Sequence, residues 1–173
     1  TGVQTCALPI LRLEAAAAQE LAENFAGVAN FRVPTVDWQR TSERVLTLER
    51  VGGARVDDPA GVRALGLDPE AVVRTAAEVF FTMVFRHGFF HADMHPGNLF
   101  VEANGTIIAL DFGIMGRIDA VTQRTLGEML LGFLSRDYMR VAEVHVQAGY
   151  VPSHKSIPAF AQACRSIAED RKS

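Results

Sequence analysis

The chain of 173 residues carries 17 Lys and Arg against 20 Asp and Glu, a net charge of −3, with 49% hydrophobic and 8% aromatic residues. No block of like charge stands out, which argues against a nucleic-acid partner, and the length suits one domain with a sizeable core. Two cysteines, Cys6 and Cys164, make neither a disulfide framework nor a metal spacing, which fits a reducing cytoplasm, and no run of about 18 apolar residues offers a membrane span.

Residues 1–10 show no period and read like translated adapter sequence, so they are set aside from the fold. Over residues 11–26, Leu13, Ala17, Leu21 and Phe25 recur every four positions among good helix formers, with Gly27 placed to cap the end. Residues 31–36 and 44–49 read as strands, and Val51-Gly52-Gly53 breaks the second. Asp58-Pro59 and Asp68-Pro69 each pair an N-cap with proline at the first helical position. The helix after Asp68, reaching about residue 87, is apolar nearly all round and is expected to be buried and to anchor the domain.

Residues 91–98, His-Ala-Asp-Met-His-Pro-Gly-Asn, hold Pro96 and Gly97 and must form a loop. Two β-rich runs then flank Asn104-Gly105, the strongest short hairpin signal. A two-residue loop would set Val101 opposite Ile108, Leu99 opposite Leu110 and Asn98 opposite Asp111. An amide oxygen and a carboxylate brought together in this way suit Mg²⁺, which takes oxygen ligands and shares its shell with substrate phosphates.

The offset from Asp93 to Asn98, followed by Asp111-Phe112-Gly113, is that of the catalytic loop and Asp-Phe-Gly element of protein kinases. In that scheme Asp93 accepts the proton of the attacking hydroxyl, while Asn98 and Asp111 hold the metal. Capping of turns by the same residues would leave their convergence unexplained. His87, His91 and His95 are four apart, but the break at Pro96-Gly97 and the lack of His-Glu-x-x-His or partner cysteines argue against zinc. His91 is expected to brace the loop by a backbone hydrogen bond. Downstream, Asp119 should cap a helix with Leu126, Met129, Leu130 and Phe133 inward. A second helix over 137–148 and a third from Ser156, burying Ile157, Phe160, Ala161, Cys164 and Ile167, complete the chain. Five residues separate Gly113 from Asp119, too few for a peptide-docking activation segment.

The wording Gly-Phe-Phe-His-Ala-Asp-Met-His-Pro-Gly-Asn, then Ile-Ala-Leu-Asp-Phe-Gly-Ile-Met-Gly, resembles the UbiB-like family of atypical kinases associated with ubiquinone biosynthesis, over residues 11–170. The resemblance implies an α+β, protein-kinase-like fold, truncated: a partial small lobe and hinge over 11–56, then a mostly helical large lobe over 57–173 with a catalytic β-hairpin. It implies ATP and Mg²⁺ as cofactors, with Asp93 and His91 as catalytic candidates, Asn98 and Asp111 as metal ligands, and Glu49 to Val51 as the hinge against adenine. It makes Glu14 the candidate partner of an ATP-binding lysine, although the acidic pair that precedes this segment in the family is absent. A quinone precursor or lipid is the implied partner, with the full-length protein at the inner membrane, on its cytoplasmic side, and this segment soluble. Lysine occurs only as Lys155 and Lys172, so this chain lacks the small-lobe half of an ATP site and is expected to show negligible activity alone. Rival readings are a phosphotransferase resembling aminoglycoside or choline kinases, which share His-x-Asp-x-His-x-x-Asn, and a non-catalytic, nucleotide-regulated binding module.

Overall fold

Four aspartates decide where helices begin. In the computed structural model, which describes residues 10–169, Asp58 accepts the Gly61 amide ahead of α2 (Pro59–Ala64), and Asp68 accepts those of Glu70 and Ala71 ahead of α3 (Pro69–Thr82). Asp119 takes the Thr122 amide at the start of α4 (Ala120–Leu134), and Asp137 that of Arg140 at the start of α5 (Tyr138–Gln147). Each carboxylate satisfies an amide that the helix itself cannot. The remaining helices are α1 (Ile10–Asn24) and α6 (Ile157–Glu169). The expectation about the first ten residues lies, but for Ile10, outside the described residues.

Among the described residues there are six strands, all short: β1 (Phe31–Arg32), β2 (Ala54–Arg55), β3 (Phe89–His91), β4 (Leu99–Val101), β5 (Ile107–Ala109) and β6 (Met115–Arg117). Four make a sheet in the order β1-β5-β4-β2, with β1 parallel to β5, and β3 pairs with β6 in an antiparallel ribbon. The strands expected over 31–36 and 44–49 are largely absent. Beyond Arg32 the two segments meet only around an isolated Val36–Leu48 bridge, with Asp37 N–H donating to Thr47 O and Glu49 N–H to Thr35 O. Pro34 has no amide to give to a ladder, and Asp37 turns the chain by accepting the amides of Gln39 and Arg40.

The hairpin forms at Asn104-Gly105, but its register differs from the expected one by a residue. Val101 faces Ile107 and Leu99 faces Ala109. Glu102 N–H donates to Thr106 O, so the loop has three residues and ends at Gly105 with φ 85°. This is the three-residue turn whose last position is left-handed, and Asn104 supports it by accepting the Thr106 amide at 2.9 Å.

Helix α3 is not buried all round. Val72, Ala76 and Val79 face the core, while Val73 and Phe81 are 56% and 46% exposed. Its polarity pattern is set by one packing face only. The helix runs on into a π-helical turn, Met83–His87, and stops at Gly88, whose φ of 62° turns the chain into β3. Around this frame Leu21, Phe31, Val62, Met83, Val101, Ile107 and Phe112 are buried in one cluster, at roughly 1.5–3 kcal/mol for each large side chain.

Packing divides the chain after Arg117. The lobe boundary expected at 56/57 falls within the first unit. In the second, α4 and α5 approach so closely at Gly132 that a Cβ there would meet Val141 Cγ2 at 2.7 Å. Met129, Val141, Ala142, Val144, Ala161 and Cys164 are buried in this unit, whereas Phe133 and Ile167, expected inward, are exposed near helix ends. Among the described residues no helix is long and apolar enough to cross a membrane.

Candidate active site

Two loops connect the ribbon to the sheet. Residues 92–98 run from β3 to β4 and residues 110–114 from β5 to β6, so the pairings β3–β6 and β4–β5 oblige them to lie side by side. Ala92 N–H donates to Ile114 O at 2.9 Å at one end, and Leu110 N–H to Asn98 O at 2.8 Å at the other.

The one-residue shift places Leu110, not Asp111, opposite Asn98. The polar pair meets nonetheless: Asn98 Nδ2 stands 3.4 Å from Asp111 Oδ2. The sharp step is Asp111 itself, left-handed at φ 63°, a conformation that aspartate tolerates better than most residues. Its Oδ1 accepts the Gly113 amide at 3.2 Å, which leaves Oδ2 facing Asn98. Rotation of the Asn98 carboxamide exchanges Nδ2 for Oδ1, giving two oxygen donors of the kind Mg²⁺ takes. These residues therefore fit a hard cation that keeps water or phosphate oxygens for the rest of its shell.

Asp93 is exposed on the neighbouring loop. Its amide donates to His91 Nδ1 at 3.2 Å, as expected, and His95 Nδ1 takes the Gly97 amide at 3.0 Å. His91 is 2% exposed, its ring 6.2 Å from that of Phe112. The ring braces the loop from beneath and also contributes to the lining of the neighbouring cavity. Because Nδ1 accepts, the proton sits on Nε2, which is buried without a partner among the described residues.

Glu14 lies on α1 and reaches the same place: its Oε1 accepts the Phe112 amide at 3.1 Å. Glu49 is tied elsewhere. Thr35 N–H and the Arg32 guanidinium bind its carboxylate and hold its pKa below the usual glutamate value, and Arg32 also reaches Glu102 at 2.7 Å. Val51 is half-buried in the irregular segment that follows. Beside the loop of residues 92–98 opens a cavity of about 640 Å³, lined among others by Val73, Ala77, Phe80, Ala92 and Met94, with Asp57 also contributing. Arg55, hydrogen-bonded to Asp57, lowers that carboxyl's pKa.

Sequence reasoning passed over Arg32 and Arg117. A lone arginine in a β-rich run opposite no obvious acid was the available sign, and the acids it meets are remote in sequence: Glu102 for Arg32 and Glu20 for Arg117.

A hairpin carrying an amide and an Asp-Phe-Gly carboxylate beside an aspartate loop is the core of a protein-kinase-like large lobe. The ABC1 atypical kinase-like domain matches residues 11–145, and the chain belongs to that family. It is 43% identical to "Probable protein kinase UbiB" of Pseudomonas putida strain W619, over 94% of this chain and 31% of that protein. It is 40% identical to the protein of the same name from Marinobacter nauticus, over 92% and 30%. The chain thus spans about a third of the length of these curated relatives. The solved complex of Rv3197 with erythromycin from Mycobacterium tuberculosis aligns at a TM-score of 0.68 and 23% identity, over 91% of this chain and 40% of that one, a likeness of fold alone.

Proposed function

We propose that the intact protein is a UbiB-like atypical kinase or ATPase that binds ATP with Mg²⁺ and supports ubiquinone biosynthesis. The observation that carries this reading is the meeting of Asn98 and Asp111 at 3.4 Å on the loop next to Asp93. Mg²⁺, when bound, neutralises charge on the phosphoryl group. Asn98 and Asp111 would hold it through their side-chain oxygens. Asp93, exposed on its loop, takes the proton of an acceptor hydroxyl or orients a water, a task whose loss typically slows a reaction by about 10² to 10⁴.

The hinge is assigned to backbone groups from Glu49 to Val51, since the Glu49 carboxylate is already engaged by Thr35 and Arg32. One Glu14 oxygen takes the Phe112 amide; the other is assigned to a lysine supplied by the rest of the protein. For the acceptor, a quinone precursor or lipid is favoured over the polar substrates of small-molecule phosphotransferases, because Ala92 and Met94, which flank Asp93, line an apolar cavity of ligand size. Such a partner suits a full-length protein held on the cytoplasmic side of the inner membrane.

The test is Mg²⁺-dependent nucleotide binding by the intact protein. It is expected to vanish in Asp111→Ala, and unchanged affinity would reject the metal assignment.

A further inference from the structure

Two polar contacts tie α1 to the Asp-Phe-Gly segment. Glu14 accepts the Phe112 amide at 3.1 Å, and Glu20 accepts Arg117 Nη2 at 2.8 Å. The two glutamates are six positions apart, about 9 Å along the helix axis, so α1 is held at two points against residues 112 and 117. Arg117 is itself fixed. It pairs with Phe89 across the β3–β6 ribbon, and its guanidinium carbon sits 4.6 Å from the centroid of that ring, which is 5% exposed.

Apolar packing of Ala15, Ala18, Leu21 and Phe25 sets which face of α1 meets the core, but hydrophobic attraction is not directional and leaves the fine adjustment of the roll to other contacts. The directional bonds of Glu14 and Glu20 supply that adjustment. The inner contact matters because the Phe112 amide follows a left-handed residue, Asp111 at φ 63°, and a carboxylate from α1 is its hydrogen-bond acceptor.

We propose that Arg117 is a positioning residue that, through Glu20, sets the roll of α1, keeps Glu14 on the Phe112 amide and so fixes the turn at Asp111. The geometry makes this a lever from the surface to the Asp-Phe-Gly turn. Its functional weight rests on the reading of Asp111 as a metal ligand; the mechanical link does not.

Amide hydrogen exchange by NMR on the 173-residue chain tests the link. In Arg117→Ala and in Glu20→Gln the Phe112 amide should exchange roughly three- to fivefold faster, the scale of an exposed ion pair. The Ile107 amide, bonded to Asn30 O at 2.9 Å in the sheet, should not change. The charge swap Arg117→Glu with Glu20→Arg should return Phe112 toward the parent rate, and Glu14→Ala sets the ceiling. A rise of less than about twofold at Phe112, or an equal rise at Ile107, overturns the proposal; should Arg117→Ala not fold, Glu20→Gln decides. A separate Mn²⁺ titration of the parent chain and Asp111→Asn tests the metal reading, whose failure would leave the exchange result standing.

Discussion

Asn98 and Asp111 meet across the end of the hairpin although they are not opposed in its ladder: Leu110 N–H takes Asn98 O, and the left-handed Asp111 swings its carboxylate to within 3.4 Å of the Asn98 amide. Backbone and charge can be separated here. Asparagine also tolerates φ above zero, so Asp111→Asn should melt within a degree or two of the parent, while Asp111→Ala should lose about 1 kcal/mol. Both should lose Mn²⁺ binding. Retained Mn²⁺ affinity in Asp111→Asn would show that the carboxylate is not a ligand.

Gly53 makes a tight backbone approach in the first unit. With φ 101°, a Cβ there would lie 2.2 Å from the Val101 carbonyl oxygen. The obstacle is backbone of a central strand, which cannot step aside. Gly53→Ala should therefore cost roughly 2–4 kcal/mol, combining overpacking with left-handed strain, whereas Gly52→Ala, where nothing lies within 4 Å, should change the urea midpoint little.

The Glu49 carboxyl is held below its ordinary pKa of 4.5 by the Thr35 amide and then by Arg32. A depressed folded pKa means that the stabilisation is complete above the unfolded value and is lost as pH falls through the folded one. Glu49→Gln should thus be less stable than the parent at pH 7 by about 0.5 kcal/mol, allowing for solvent screening, and the gap should close as pH falls below 4.5 and through the lowered folded value. A gap that does not shrink on acidification would assign the effect to packing.

With Lys155 and Lys172 as its only lysines, the isolated chain should hydrolyse ATP no faster than buffer. A malachite-green assay of the purified chain, with Asp111→Ala as control, checks this. Turnover that disappears in the variant would prove it wrong.

The four helix N-termini were readable because capping is local: an aspartate and the amides two or three residues on suffice. Hairpin existence was readable for the same reason. Its register was not, since a two-residue and a three-residue loop around Asn104-Gly105 differ only in whether Ala103 joins the turn, a choice set by how Val101, Ile107 and Ile108 pack. The exposure of Val73 and Phe81 was hidden because apolar composition does not say which faces find partners. Glu14 was singled out, but as the partner of a lysine. Its bond to an amide 98 positions away leaves no trace in local pattern.

The widened turn over Met83–His87 has its own consequence for β3. A π-turn holds one residue more than the α-turn it replaces, and the surplus is absorbed inside the helix. Removing one residue over Met83–His87 should therefore leave an ordinary α-turn and keep Phe89 and His91 facing inward along β3. The imidazole beneath Asp93 should stay seated in such a deletion, whereas a deletion within β3 itself should turn it outward.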